Sequence, residues 1–224
     1  MSKPANPPDR GLTGGEQRLS RASVQRLSLY LRQLEGLLRD GTKKVSSGSL
    51  GVTLGLTDAQ VRKDLAALGH LGHPGLGYLV PELAAAIRRV LGIDHEWAVA
   101  LVGVGNLARA LLRYHGFVER GFRIVALFDA DPSKFGQRID GLEIHSIERI
   151  TEVIAASGAQ LGVLTVPSDA AQTVADALVA AGIHGLLNFA PGVLRVPSGV
   201  SLVSVDLTVQ LEQLAFLVQL SGGE

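Results

Sequence analysis

Six apolar residues in succession, Trp97-Ala98-Val99-Ala100-Leu101-Val102, run directly into Gly103-Val104-Gly105-Asn106-Leu107-Ala108, and a helix opens behind them. A near-continuous apolar run is what a parallel strand buried on both faces requires. The glycines after it have separate tasks. Gly103 permits a tight strand-to-helix turn, and Gly105 lets backbone approach a pyrophosphate. Ala108 stands at the helix–strand contact in place of a third glycine, a tolerated change. The helix N-terminus offers free N–H groups and partial positive charge to phosphates.

The next strand ends in Phe128-Asp129-Ala130-Asp131, with Asp129 placed 21 positions beyond Ala108. An acid there accepts hydrogen bonds from the adenine-side ribose and repels a 2′-phosphate, which favours NAD(H) over NADP(H). The alternative is a structural glycine turn, with Asp129 capping a loop. Strands are predicted over residues 97–102, 124–128, 161–166, 185–189 and 202–205, with helical segments between most of them. That alternation predicts an α/β doubly wound parallel sheet of Rossmann type. Thr165-Val166-Pro167 and Asn188-Phe189-Ala190-Pro191 fall at the C-terminal strand ends, where ligands bind and where a nicotinamide pocket can form. Leu207, Leu211, Leu214 and Val218 predict a last amphipathic helix.

Residues 1–93 are of another kind. They carry 13 basic and 7 acidic side chains, against 8 and 14 in residues 94–224, although the whole chain is neutral. Such asymmetry points to two units with different partners, the basic one suited to nucleic acid. The rival explanation is chance drift of surface charge. Residues 1–20 read as a mobile tail. From Ser23, the residues Val24, Leu27, Leu31, Leu34 and Leu38 mark one helical face, which Gly41 ends. Ser46, Ser47 and Ser49 cap a short segment to Leu54 that Gly48 and Gly51 weaken. Gly55 and Leu56 form a turn before a capping box, in which the Thr57 hydroxyl accepts from the Gln60 backbone and the Gln60 amide reaches back. The helix behind it buries Val61, Leu65 and Leu68. Glycines 69, 72, 75 and 77, with alternation through Leu76, Tyr78 and Val80, predict a hairpin. Pro81 opens a helix (Leu83, Ile87, Val90, Leu91) that stops at Gly92. Two helices joined by a glycine turn and followed by a hairpin predict a winged helix-turn-helix.

With 46% hydrophobic and 19% charged residues, a disordered or fibrous protein is excluded. The absence of cysteine removes a disulfide scaffold, a thiol nucleophile and zinc–thiolate chemistry, and fits a cytoplasmic protein. No apolar run or signal segment predicts a membrane partner. None of the six histidines sits in an acid/base or metal pairing. Tyr114 lacks a lysine four residues on, and reads otherwise as a helix-end aromatic packed on the sheet. A coenzyme site without catalytic groups makes the coenzyme a signal and not a reagent, so no enzyme and no metal are predicted.

These residues in this order resemble the Rex family of redox-sensing transcriptional repressors, over about residues 21–220. The likeness is carried by Gln60-Val61-Arg62-Lys63-Asp64-Leu65, Gly75-Leu76-Gly77-Tyr78, Gly103-Val104-Gly105-Asn106-Leu107 and Phe128-Asp129-Ala130-Asp131-Pro132. Supporting stretches are Tyr30-Leu31-Arg32, Leu164-Thr165-Val166-Pro167, Asn188-Phe189-Ala190-Pro191 and Val205-Asp206-Leu207. The resemblance implies a winged-helix DNA-binding domain (21–93), an NAD(H)-binding Rossmann domain (94–205) and a dimerisation helix (206–224) exchanged between subunits. It implies a homodimer on palindromic operator DNA, released by NADH and left bound by NAD+. It also implies coupling of the domains through Arg32, Tyr114 and Asp206, the last alternatively a helix cap.

DNA contact is expected from Ser46, Ser47, Ser49, Thr57, Gln60, Arg62 and Lys63, the serines on phosphates; a solvated helix face is the bland account of Arg62 and Lys63. Coenzyme contact is expected from residues 103–108, Tyr114, Asp129, Asp131, residues 165–167 and residues 188–191. The chain departs from the family at Ala66-Ala67-Leu68, where a serine and aromatics are usual. It departs again at His73-Pro74, where the wing usually carries a basic residue, so minor-groove contact is expected to weaken. An apolar pocket around Phe189, Ala190 and Pro191 would favour the neutral reduced ring over the cationic oxidised one. The rival functions are an NAD-dependent oxidoreductase with an accessory helical domain, and a CoA- or nucleotide-binding subunit, against which Asp129 argues.

Overall fold

The computed structural model describes residues 19–69, 71–73 and 76–221. The expected tail up to residue 18, His70, Pro74 and Gly75 of the wing, and residues 222–224 lie outside them. The chain divides into two compact units, Met1–Asp94 and His95–Glu224.

In the first unit the order is α1 (Arg21–Arg39), β1 (Lys44–Val45), α2 (Ser47–Leu54), α3 (Asp58–Ala66), β2 (Gly72–His73), β3 (Gly77–Leu79) and α4 (Val80–Val90). Ser20 caps α1 by accepting the Ser23 N–H at 3.1 Å. The α1 face buries Leu27, Tyr30, Leu31 and Leu34, whereas Val24 and Leu38, at the ends of the apolar stripe, stay exposed. The four buried residues pack with Leu50, Val61, Leu65, Leu83 and Ile87 into one core. The strands form a small antiparallel sheet ordered β1-β3-β2. The sequence showed no sign of β1, because two residues are too few to alternate. Alternation also ran one residue too far. Val80 begins α4, donating its N–H to the Lys43 carbonyl at 3.0 Å while its side chain enters the core.

Gly51 corrects the expectation that it only weakens α2. A Cβ there would stand 2.5 Å from the Leu56 carbonyl oxygen, because the turn into α3 folds back against this point. The Leu56 N–H closes the turn onto the Gly51 carbonyl at 2.9 Å.

The second unit runs β4 (Trp97–Val102), α5 (Asn106–Leu112), α6 (Gly116–Glu119), β5 (Phe122–Asp129), β6 (Arg138–Ile139), β7 (Leu142–Ser146), α7 (Ile150–Ser157), β8 (Leu161–Leu164), α8 (Ser168–Ala180), β9 (Gly185–Asn188), β10 (Ser201–Ser204) and α9 (Leu207–Ser221). The sheet order is β10-β9-β8-β4-β5-β7-β6, parallel except at one edge. There β6 pairs antiparallel with β7, across a turn in which Asp140 and Gly141 both have positive φ. The doubly wound parallel sheet is as expected, and this edge hairpin, which local pattern did not reveal, is added to it. One face packs Val102, Phe128 and Leu164 with Val174 and Leu178, and the other packs Leu101, Leu127 and Ile144 with Ala108.

The last helix also differs from its expected single stripe. Leu207, Val209, Leu211, Leu214, Phe216, Leu217, Val218 and Leu220 are all exposed, and they point in several directions around α9. Glu212 is its one charged residue. No described helix is long and apolar enough to cross a membrane.

Candidate functional site

The parallel register brings four strand ends level, pairing Val102 with Phe128 and with Leu164, and Leu164 with Asn188. Strand order reverses between β4 and β8, which makes this edge the topological switch point, where sheets of this kind take ligands. The glycine turn sits there. Gly103 has φ +92, and a Cβ on it would stand 2.7 Å from the Thr165 carbonyl oxygen and 2.8 Å from the Val166 Cγ1. Thr165 locks the turn by donating its hydroxyl towards the carbonyls of Gly103 (2.7 Å) and Val102 (3.0 Å). A Cβ on Gly105 would meet no protein atom within 4 Å, so no contact within the protein requires glycine at this position. Gly105, Asn106 and Leu107 are exposed, whereas the Val104 and Ala108 side chains are buried in the helix–sheet core. Neither side chain is left for a ligand, and the backbone N–H of Val104 is already taken by Asp129.

Asp129 is 6% exposed and serves the turn directly. Its Oδ2 accepts the Val104 N–H and the Lys134 ammonium, each at 2.8 Å, and its Oδ1 accepts the Asp131 N–H at 2.9 Å. Burial alone would raise its pKa, but these donors outweigh burial and hold it below the usual aspartate value. These bonds give Asp129 the loop-capping role. Lys134 was missed in the sequence; its position five residues after the acid was the available signal. Asp131 lies at the surface, its Oδ1 accepting from the Ser133 N–H and hydroxyl.

Asn188 departs from its expected role on the pocket wall. It is fully buried, and its amide bonds both ways to Ala190, donating to the carbonyl and accepting the N–H at 2.9 Å each. It shapes the loop that carries half-buried Phe189, buried Ala190 and exposed Pro191. Val166 is half-buried and Pro167 exposed. Tyr114 is 54% exposed, not packed on the sheet, and meets Phe117 edge-on with centroids 5.2 Å apart. Asp206 caps α9, accepting the N–H groups of Thr208 and Val209 at 2.9 and 3.2 Å. Arg32 is exposed on α1.

In the first unit Thr57 caps α3 as expected, accepting the Gln60 N–H at 3.2 Å. The reciprocal half of the capping box does not form, because the Gln60 amide turns the other way and donates to Asp64 at 3.1 Å. Asp64 is 4% exposed and also receives a two-pronged bond from Arg26 (2.6 and 2.7 Å) and the Tyr30 hydroxyl (2.8 Å). Burial pushes its pKa up, but the donors win and hold it below the usual value. The same pairing raises the Arg26 pKa, and burial beside Asp64 raises that of Tyr30. Ser46 caps α2, accepting the Ser49 N–H at 3.0 Å. Arg62 pairs with Asp58 one turn back and reaches the Ser47 hydroxyl at 3.4 Å, which brings the candidate residues of α2 and α3 onto one surface. Lys63 and Ser49 are exposed. No metal-holding group of His, Cys, Asp or Glu occurs among the described residues.

Fold and site together define a winged-helix unit and a Rossmann-type unit carried on one chain. Residues 18–66 match the family model "Putative DNA-binding protein N-terminus", and residues 94–192 match "CoA binding domain". A redox-sensing transcriptional repressor Rex of Desulfitobacterium hafniense is 46% identical over 201 residues, spanning 90% of this chain and 96% of its own. The Rex of Pelotomaculum thermopropionicum is 48% identical over 199 residues, spanning 88% and 93%. Among solved structures, RSP in complex with β-NAD+ and operator DNA superposes with TM-score 0.87 at 36% identity, covering 92% of this chain and 95% of that one. RSP in complex with β-NADH gives 0.82 at 35% identity, covering 92% and 97%. The chain belongs to the Rex family of redox-sensing transcriptional repressors. Its relatives are named repressors, which favours this assignment over the oxidoreductase.

Proposed function

We propose that this chain is a homodimeric repressor that binds palindromic operator DNA through α3 and lets go when NADH occupies the switch point at the end of β4. The observation that carries the reading is a dinucleotide turn braced by Asp129 and Thr165, in one chain with a winged helix whose α3 exposes Arg62 and Lys63. The RSP structures with NAD+ and operator DNA and with NADH support it. Residues 103–108 and Asp129 would hold the parts common to both coenzyme forms. Phe189, Ala190 and Pro191 would favour the neutral reduced ring, since an apolar wall disfavours burial of the oxidised ring's charge.

A swing from 1:99 to 99:1 needs about 5.5 kcal/mol of such preference. The exposed apolar surface of α9 supports the dimer, because a patch of this kind requires a partner. Arg32, Tyr114 and Asp206 carry the coupling in this reading. Ser46, Ser47, Ser49, Thr57, Gln60, Arg62 and Lys63 form the DNA face. Two such faces must lie about 34 Å apart to enter successive major grooves. The test is a mobility shift on palindromic promoter fragments. Release by NADH but not NAD+ is expected; turnover of NADH with a small carbonyl compound would replace this reading with an oxidoreductase.

A further inference from the structure

The buried carboxylate of Asp64 dictates which end of the Gln60 amide faces outward. A carboxylate only accepts hydrogen bonds, so the Gln60 NH2 must face it, as the 3.1 Å contact has it. Reversing the amide would set its oxygen against the carboxylate oxygen. Asp64 cannot swing away to relieve that, because Arg26 grips both its oxygens and Tyr30 holds Oδ2. The outcome is a half-buried side chain in the first turn of α3 whose orientation is set from the core. Its oxygen and its second amide hydrogen are left for another partner.

An acceptor and a donor side by side on one planar group match the N6–H donor and N7 acceptor of adenine in the major groove. We propose that Gln60 reads one adenine in each operator half-site. Asp64, clamped by Arg26 and Tyr30, is the positioning residue that holds the amide in its reading orientation. The first turn of a recognition helix is the part that meets base edges. This inference rests on the reading of the chain as an operator-binding repressor.

The test is binding-site selection by the purified full chain, without NADH, from palindromic duplexes with randomised half-sites. Wild-type protein is expected to enrich one adenine whose replacement weakens binding about 5- to 150-fold. Replacing that adenine by 7-deazaadenine, which lacks the N7 acceptor, is expected to weaken wild type but not Gln60→Ala. Gln60→Ala is expected to lose preference at this position and keep it elsewhere. Asp64→Asn is expected to relax the same position, since an asparagine can turn either its oxygen or its NH2 towards Gln60. Arg26→Lys, which breaks the two-pronged grip but keeps the charge, is expected to act in the same sense and serves if Asp64→Asn does not fold. Failure of wild type to enrich any sequence overturns the repressor reading itself. Enrichment by wild type, with Gln60→Ala preferences unchanged at every position, overturns this inference alone. Uniform weakening in Asp64→Asn or Arg26→Lys, with base preferences intact, overturns the positioning role.

Discussion

The Oδ2 atom of Asp129 accepts the backbone N–H of Val104 at 2.8 Å, tying the end of β5 to the middle of the glycine turn. One carboxylate therefore both shapes the turn and stands where a coenzyme ribose is expected. Asp129→Ala is expected to weaken NAD+ and NADH alike, by about 10- to 100-fold, the scale of a lost charge-assisted hydrogen bond. The ratio of the two affinities should stay nearly unchanged. Calorimetric titration of both forms checks this; a selective loss of NADH would assign redox discrimination to the wrong end of the coenzyme.

Asp64 predicts the acid limit of the first unit. Its folded pKa lies below the ordinary 3.8, so its contribution to stability is complete above that pH and disappears as pH falls through the lowered value. Asp64→Asn should remove about 2–3 kcal/mol at pH 7, near the lower end for breaking a buried pair, because the Arg26 side chain keeps 23% exposure. Chemical denaturation at pH 7 and pH 3 should show the difference between variant and wild type shrinking in acid.

Two glycines of α2 should respond in opposite directions. Gly51→Ala drives a Cβ into the Leu56 carbonyl and should cost about 1–3 kcal/mol. Gly48→Ala meets only the Ser46 hydroxyl oxygen at 3.8 Å and should stabilise by about 0.5–1 kcal/mol through better helix propensity. Thermal melts of the two variants decide the point.

Helix α9 should set the oligomeric state. Leu214→Asp places a charge among the exposed apolar side chains and should raise the dimer dissociation constant at least about 100-fold, given the ~1.5–3 kcal/mol of a buried leucine and the further cost of burying a carboxylate. Sedimentation velocity across a dilution series measures it. An unchanged dimer would place the interface elsewhere.

Lys63→Ala should lower operator affinity and reduce the salt slope by about 1, the signature of one lost phosphate contact. Binding isotherms at several salt concentrations check this.

Much of this protein was written in local pattern. The apolar run of β4, the glycines behind it and the period of α1 report which backbone states and which faces are allowed, and each can be read within a few residues. Other features required the tertiary fold. Tyr30 and Arg26 meet Asp64 across more than thirty residues, and nothing local distinguishes a clamped carboxylate from a solvated one. The Gln60 amide turns to this carboxylate, one helical turn on, and not back to the start of its helix, because distant residues of α1 hold the carboxylate in place.

Residues 97–131 by themselves determined a strand, a phosphate-type turn and an acid at the next strand end, because chain stereochemistry and hydrophobic burial act at short range. Only the folded chain decided that Gly51 is required, that Asn188 braces a loop, that β6 turns antiparallel and that α9 exposes apolar side chains on more than one side. Those outcomes depend on which distant atoms come within van der Waals or hydrogen-bond reach, and packing alone sets that.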